Sequence, residues 1–184
     1  MRKIESEKTR CASAVPRIGV SACLLGAQVR YDGGHKHDPV LTETLAPFVE
    51  WIPVCPEVEI GLGVPRDTLR LVGAPGTPRL VVERTGEDLT TRMARFAAAR
   101  VVELARLGLD GYVLKSGSPS CGLFDVRIHD ERSRVAGAGR GLFAATLVDA
   151  LPALPVEDEG RLADPAVRDD FLARAVARRR ARCS

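Results

Sequence analysis

The feature that most constrains the fold occurs three times: a short apolar run that stops at a turn, with a cysteine at or just beyond its end. In RIGVSACLLG the run is Ile18 to Cys23, and in the second case residues 48–54, FVEWIPV, lead directly into Cys55-Pro56-Glu57. The third is YVLKS, followed by Gly117-Ser118-Pro119-Ser120-Cys121-Gly122. Each run has the length and apolar content of a buried strand. Helix signals lie between them. Asp38 and Pro39 offer an N-cap and a first-turn proline for VLTETLA, which predicts a short helix ending before Pro47. From Asp88 to Leu107 the residues Leu89, Met93, Phe96, Ala97, Val101, Leu104 and Leu107 keep three-to-four spacing, and Gly108 supplies the stop. Residues 69–83 predict a β-hairpin around Gly73-Ala74-Pro75-Gly76, residues 126–136 a further strand and turn, and Leu142 to Ala150 a helix.

Strands alternating with helices predict an α/β fold with a mainly parallel, Rossmann-like sheet flanked by helices. In such sheets ligands sit outside the carboxyl ends of the strands, so three strand-end cysteines converge on one site there. With 184 residues, 45% of them hydrophobic, the chain fills one core. We divide it into a polar tail, 1–16, a main domain, 17–150, and a linker with a C-terminal helix, 151–184. In the last segment Asp164-Pro165 opens a helix with Phe171, Leu172, Ala175 and Val176 inward, and the Arg run 178–182 reads as a solvated helix end. No run of 18 apolar residues occurs and the start is polar, so we expect no membrane association and a cytoplasmic location. A net charge of +3 is too small to predict a nucleic-acid polymer as partner. Of 27 basic residues only Lys3, Lys8, Lys36 and Lys115 are Lys, and the last two fall in the richest motif segments, which suggests a local need for an ammonium.

Of the five cysteines, Cys11 and Cys183 lie in terminal segments, outside the expected chemistry. No C-x-x-C occurs, which argues against a zinc ribbon or a dithiol redox pair. Cys23, Cys55 and Cys121 suit either zinc, completed by His35, His37, His129 or a carboxylate, or a four-iron cluster whose fourth iron has no protein ligand. Spacing does not choose between them. An open iron prefers soft donors, which points to thiocarbonyl chemistry. Water attacking the carbon that bears sulfur needs a general base; Glu57 is placed for it and Asp32 is the reserve. Ser118 and Ser120 flank Pro119, where hydroxyls orient substrate or bond to the cluster.

The motifs SACLLG with VRYDGGHK, PVCPEVEIGLGVPRDTLRLV and DGYVLKSGSPSCG resemble the TudS-like thiouracil desulfidase family over roughly residues 17–150. The resemblance implies a [4Fe-4S] cluster on Cys23, Cys55 and Cys121 with one open iron, and non-redox removal of sulfur from a thiolated pyrimidine. It also implies a catalytic set drawn from Glu57, Asp32, Lys115, Ser118 and Ser120. The stretch GLGVPRDTLRLV and the C-terminal segment are similar to longer relatives that carry a second helical domain, here either lost or left out of a fragment, and act on 4-thiouracil or 4-thiouridine monophosphate; 2-thiouracil is a further expected substrate. For a nucleotide phosphate, Arg30, Arg66, Arg70 and the Gly137–Gly141 loop are the expected contacts. A protein of another class, an iron-sulfur or zinc module that senses or carries a small sulfur compound without turnover, fits the same residues.

Overall fold

The computed structural model describes residues 15–183. Cys11 lies outside them. Two four-stranded sheets form the molecule. Sheet A has the order β2-β1-β5-β8, made of β1 (Arg17–Ser21), β2 (Glu50–Val54), β5 (Gly111–Leu114) and β8 (Val156–Asp158), with every pairing parallel. Sheet B has the order β4-β3-β6-β7, from β3 (Leu69–Val72), β4 (Arg79–Val82), β6 (Val126–His129) and β7 (Val135–Gly139). It is mixed: β3 runs antiparallel to β4 and parallel to β6, and β6 is antiparallel to β7. The expected hairpin is β3 and β4, and its departure into a second sheet is what the sequence reading did not anticipate.

Sheet A is covered on both faces, as an all-parallel sheet must be. Strand alternation sends Tyr112 and Leu114 to one side, where they meet helices α2 (Thr90–Arg106) and α3 (Leu142–Ala150) and the inner face of sheet B. Ile18, Val20 and Val113 face the other side, against Leu41 and Leu45 of the turns after β1 and against Phe171 and Ala175 of α5 (Pro165–Cys183). Gly19 lies in register with Tyr112, whose ring occupies the space a side chain would need: a Cβ there would stand 2.3 Å from Tyr112 Cδ2.

Asp38 caps as expected, its Oδ1 accepting from the Val40 and Leu41 amides. The helix it opens is a π-type turn, Val40–Leu45, extended through Pro47 by a 3-10 turn, Ala46–Phe48. Residues 151–183, expected as linker and junction helix, supply β8, the short α4 (Glu159–Leu162) and α5 to the sheet and its core. The Arg run is not a solvated end. Arg179 is buried, and Arg182 Nη2 donates to both oxygens of the fully buried Asp110 at 2.9 and 3.1 Å, while Asp110 also accepts from the Arg17 amide. Gly137 and Gly139 are strand residues of β7, so the expected anion loop does not form.

Candidate functional site

Strands β2, β1 and β5 are neighbours, and each delivers one cysteine beyond its carboxyl end. The three thiols face one cavity of roughly 310 Å³, large enough for a small ligand. All three are free, Cys23 and Cys55 half-buried and Cys121 buried. Cys183 is disulfide-bonded and takes no part.

Each cysteine is held by a different local device. Cys23 sits in the 3-10 turn Ala22–Leu25, and its carbonyl accepts the Lys36 amide at 2.9 Å, which folds residues 27–38 back over the site. Cys55 is the N-cap residue of α1 (Pro56–Glu59), where its side chain makes no capping hydrogen bond; its thiol points instead to the Val29 carbonyl, 3.8 Å away. Its own amide donates to Glu59 Oε1 at 3.1 Å, and Glu59 pairs with Arg100 of α2. Cys121 lies in a turn fixed by Ser118, whose Oγ accepts the Ser120 and Cys121 amides at 3.2 and 3.0 Å. The amides at the start of α3 then donate to carbonyls of that turn: Gly141 to Gly122, Leu142 to Pro119, and Phe143 and Ala144 to Ser120. The donors the reading assigned to a phosphate are thus spent on the cysteine loop. Gly141 permits this approach, since a Cβ there would stand 2.5 Å from the Ser120 carbonyl.

Burial governs the thiols. It pushes Cys23 up to about 11, with Cys55 adding to the rise and Lys115 opposing it, and it raises Cys55 as well. Cys121 is pushed well above the ordinary range by burial and by the Glu57 charge. Thiols in this state release protons when they take up a cation, so uptake strengthens as pH rises.

Glu57 and Arg66 line the cavity together. Arg66 Nε and Nη2 donate to Glu57 Oε2 at 3.0 and 2.6 Å, and Ser120 Oγ donates to Glu57 Oε1 at 2.9 Å. Arg66 is therefore committed to a carboxylate. Ser120 is fully buried behind the cavity wall, whereas Ser118 lines it. Lys115 and Lys36 both line the cavity. Arg30 lies at the wall with its guanidinium over the Tyr31 ring. Asp32 is not among the lining residues; the Gly34 amide holds its exposed carboxyl below the ordinary range, which makes it a poor reserve base. Arg70 points away on sheet B and donates to Ser133.

Sequence reasoning missed Glu159. It accepts from the Ser116 amide at 2.7 Å, from Ser116 Oγ at 2.7 Å and from Lys115 Nζ, which also donates to the Ser116 carbonyl and hydroxyl. Nothing near Glu159 in the chain marks it, because its partners lie more than 40 residues earlier. Burial opposes its ionisation, but the bonds from Lys115 and Ser116 prevail and its pKa falls below the ordinary 4.5. A depressed carboxylate stabilises the fold above its unfolded pKa, and that contribution disappears as pH falls through the folded value. Between about pH 6 and pH 3, thermal midpoints should fall further for the wild type than for Glu159→Gln. Parallel curves would show that the pair adds nothing.

Among the described residues, no three His, Cys, Asp or Glu side chains close on a single ion. A zinc ion would need its sulfurs about 2.3 Å from one centre. His35, His37 and His129 do not line the cavity, so none completes such a site. Thiols set apart around a shared cavity suit a cluster that offers a separate iron to each.

The family model described as 2-thiouracil desulfurase matches residues 18–159. The chain belongs to the 2-thiouracil desulfurase family. That match takes in all three cysteines, Glu57 and, as its last residue, Glu159. Among relatives of this desulfurase family, the uncharacterized protein YbbK of Bacillus subtilis (strain 168) is 31% identical over 110 residues, covering 57% of this chain and 72% of YbbK. A solved structure of the [4Fe-4S]-dependent thiouracil desulfidase TudS aligns with a TM-score of 0.65 and 33% identity, covering 85% of this chain and 99% of that one. Among the described residues no helix is long and apolar enough to cross a membrane.

Proposed function

We propose that this protein is a desulfidase that replaces the sulfur of a thiouracil, or of a thiouridine monophosphate, with oxygen from water. The observation that carries this reading is the placement of three desolvated thiols at the ends of three adjacent parallel strands, around a cavity that also holds the clamped Glu57. Cys23, Cys55 and Cys121 would hold a [4Fe-4S] cluster. When bound, the cluster supplies a Lewis-acidic iron without a protein ligand, suited to a substrate sulfur.

The residues of the chain do the rest. Glu57 takes a proton from the water that attacks the carbon bearing sulfur. The C–S bond breaks, sulfur leaves as sulfide, and the ring keeps the oxygen, so no electron donor or acceptor is needed. Ser118 accepts two amides at its oxygen, which leaves its hydroxyl proton as the part it can offer a substrate. Val29, Val54, Leu69 and Pro119 form the apolar wall a pyrimidine ring needs. A nucleotide's phosphate would meet Lys36 and Arg30 on the cavity wall, Arg30 turning to it from its 3.5 Å ion pair with the exposed Asp32.

Protein reconstituted anaerobically with iron and sulfide should release sulfide from 4-thiouracil, 2-thiouracil or 4-thiouridine 5′-monophosphate. An intact cluster that releases none from any of them would make the protein a carrier or sensor. A colourless protein holding one zinc would overturn the cluster itself.

A further inference from the structure

We infer that Arg66 and Ser120 are positioning residues that fix Glu57 in a single orientation, and that Arg66 is not an anchor for substrate phosphate. This rests on the reading of Glu57 as the group that activates water. Each nitrogen of the guanidinium already has an acceptor: Nε and Nη2 on Glu57 Oε2, and Nη1 on the Gly63 carbonyl at 3.0 Å. The side chain of Arg66 is 7% exposed and that of Glu57 15%, so both are shielded from solvent and the guanidinium more so. The backbone of Arg66 is also tied, its amide donating to the Tyr31 carbonyl at 2.9 Å.

Bond by bond, the arrangement selects one oxygen. A carboxylate offers about four acceptor places. Arg66 fills both on Oε2, and Ser120 fills one on Oε1 from a fully buried hydroxyl. The remaining place on Oε1 is where a proton from water can be taken. A Glu side chain on an unclamped short helix would sample several rotamers, and loss of alignment at a reacting group costs rate even where binding survives.

The test uses Arg66→Lys, which keeps the charge and loses the fork, beside Ser120→Ala, each assayed on 4-thiouracil and on 4-thiouridine 5′-monophosphate with iron content measured. Positioning predicts that kcat falls by about a hundredfold in Arg66→Lys and about tenfold in Ser120→Ala, equally for base and nucleotide, with KM and iron content unchanged. A KM that rises for the nucleotide alone, with kcat retained, would make Arg66 a phosphate anchor and overturn the inference. So would a lowered thermal midpoint with unchanged kcat and KM. If the wild type releases no sulfide, the reading of the reaction fails, and crystal structures of the two variants still decide the positioning: a Glu57 carboxylate unmoved in both overturns it.

Discussion

After anaerobic reconstitution, Cys121→Ser is expected to hold far less iron than the wild type, which should carry about four irons and four sulfides per chain. The effect should be the largest of any single substitution in the site. Cys121 is the most buried of the three thiols, and its turn is bound on both sides, by Ser118 within it and by the start of α3 against it. Among the described cysteines outside the site, Cys183 is held in a disulfide and cannot replace it. Serine matches the shape, so the apo protein should fold as before, and a near-normal thermal midpoint in the metal-free state will separate loss of a ligand from loss of structure. Equal iron counts in both proteins would remove Cys121 from the ligand set.

Glu57→Gln should retain its iron and lose turnover by about 10²- to 10⁴-fold, the range expected when a general base is removed. Gln keeps the length and one acceptor oxygen but cannot take up a proton from water. The change also leaves the Arg66 guanidinium without its anion in a shielded place, and breaking a pair of this kind costs about 3–5 kcal/mol when it is fully buried. Thermal unfolding should therefore accompany the kinetic measurement, which is made on the folded, iron-loaded protein. Wild-type turnover in Glu57→Gln would transfer the role to another group on the wall, with Ser118 the first to examine.

The parts of the site legible in the sequence are those with a local signature. Apolar runs ending in SAC, PVC and SPSC mark strand ends, and their convergence follows from the parallel sheet, so Cys23, Cys55 and Cys121 could be brought together on paper. Lys36 and Lys115 stood out because arginine fills nearly every other basic position. What escaped the reading depends on contacts between distant segments. Glu159 follows a three-residue strand too short to show alternation, and its bonds reach back to Lys115 and Ser116. Arg66 and Arg70 look equivalent in the chain, yet the strand that begins at Leu69 turns Arg70 to the far face of sheet B while Arg66, just before it, reaches Glu57. Gly137 and Gly139 mimic an anion loop before a helix, but small size serves packing there: a Cβ on Gly137 would stand 2.6 Å from Pro75. The Arg run of α5 looked solvated because its partner, Asp110, lies at the start of β5.

The bond between Glu159 and Lys115 also bears on how the site comes into being. A ribosome releases the chain from its N-terminus. All three thiols and Glu57 are available before β8 and α4 exist. Until those last elements dock beside β5, Lys115 lacks its carboxylate and that side of the cavity is unfinished. During that interval the three cavity cysteines and Glu57 are already in the chain while the wall beside Lys115 is incomplete. Docking of the C-terminal segment then ends that interval.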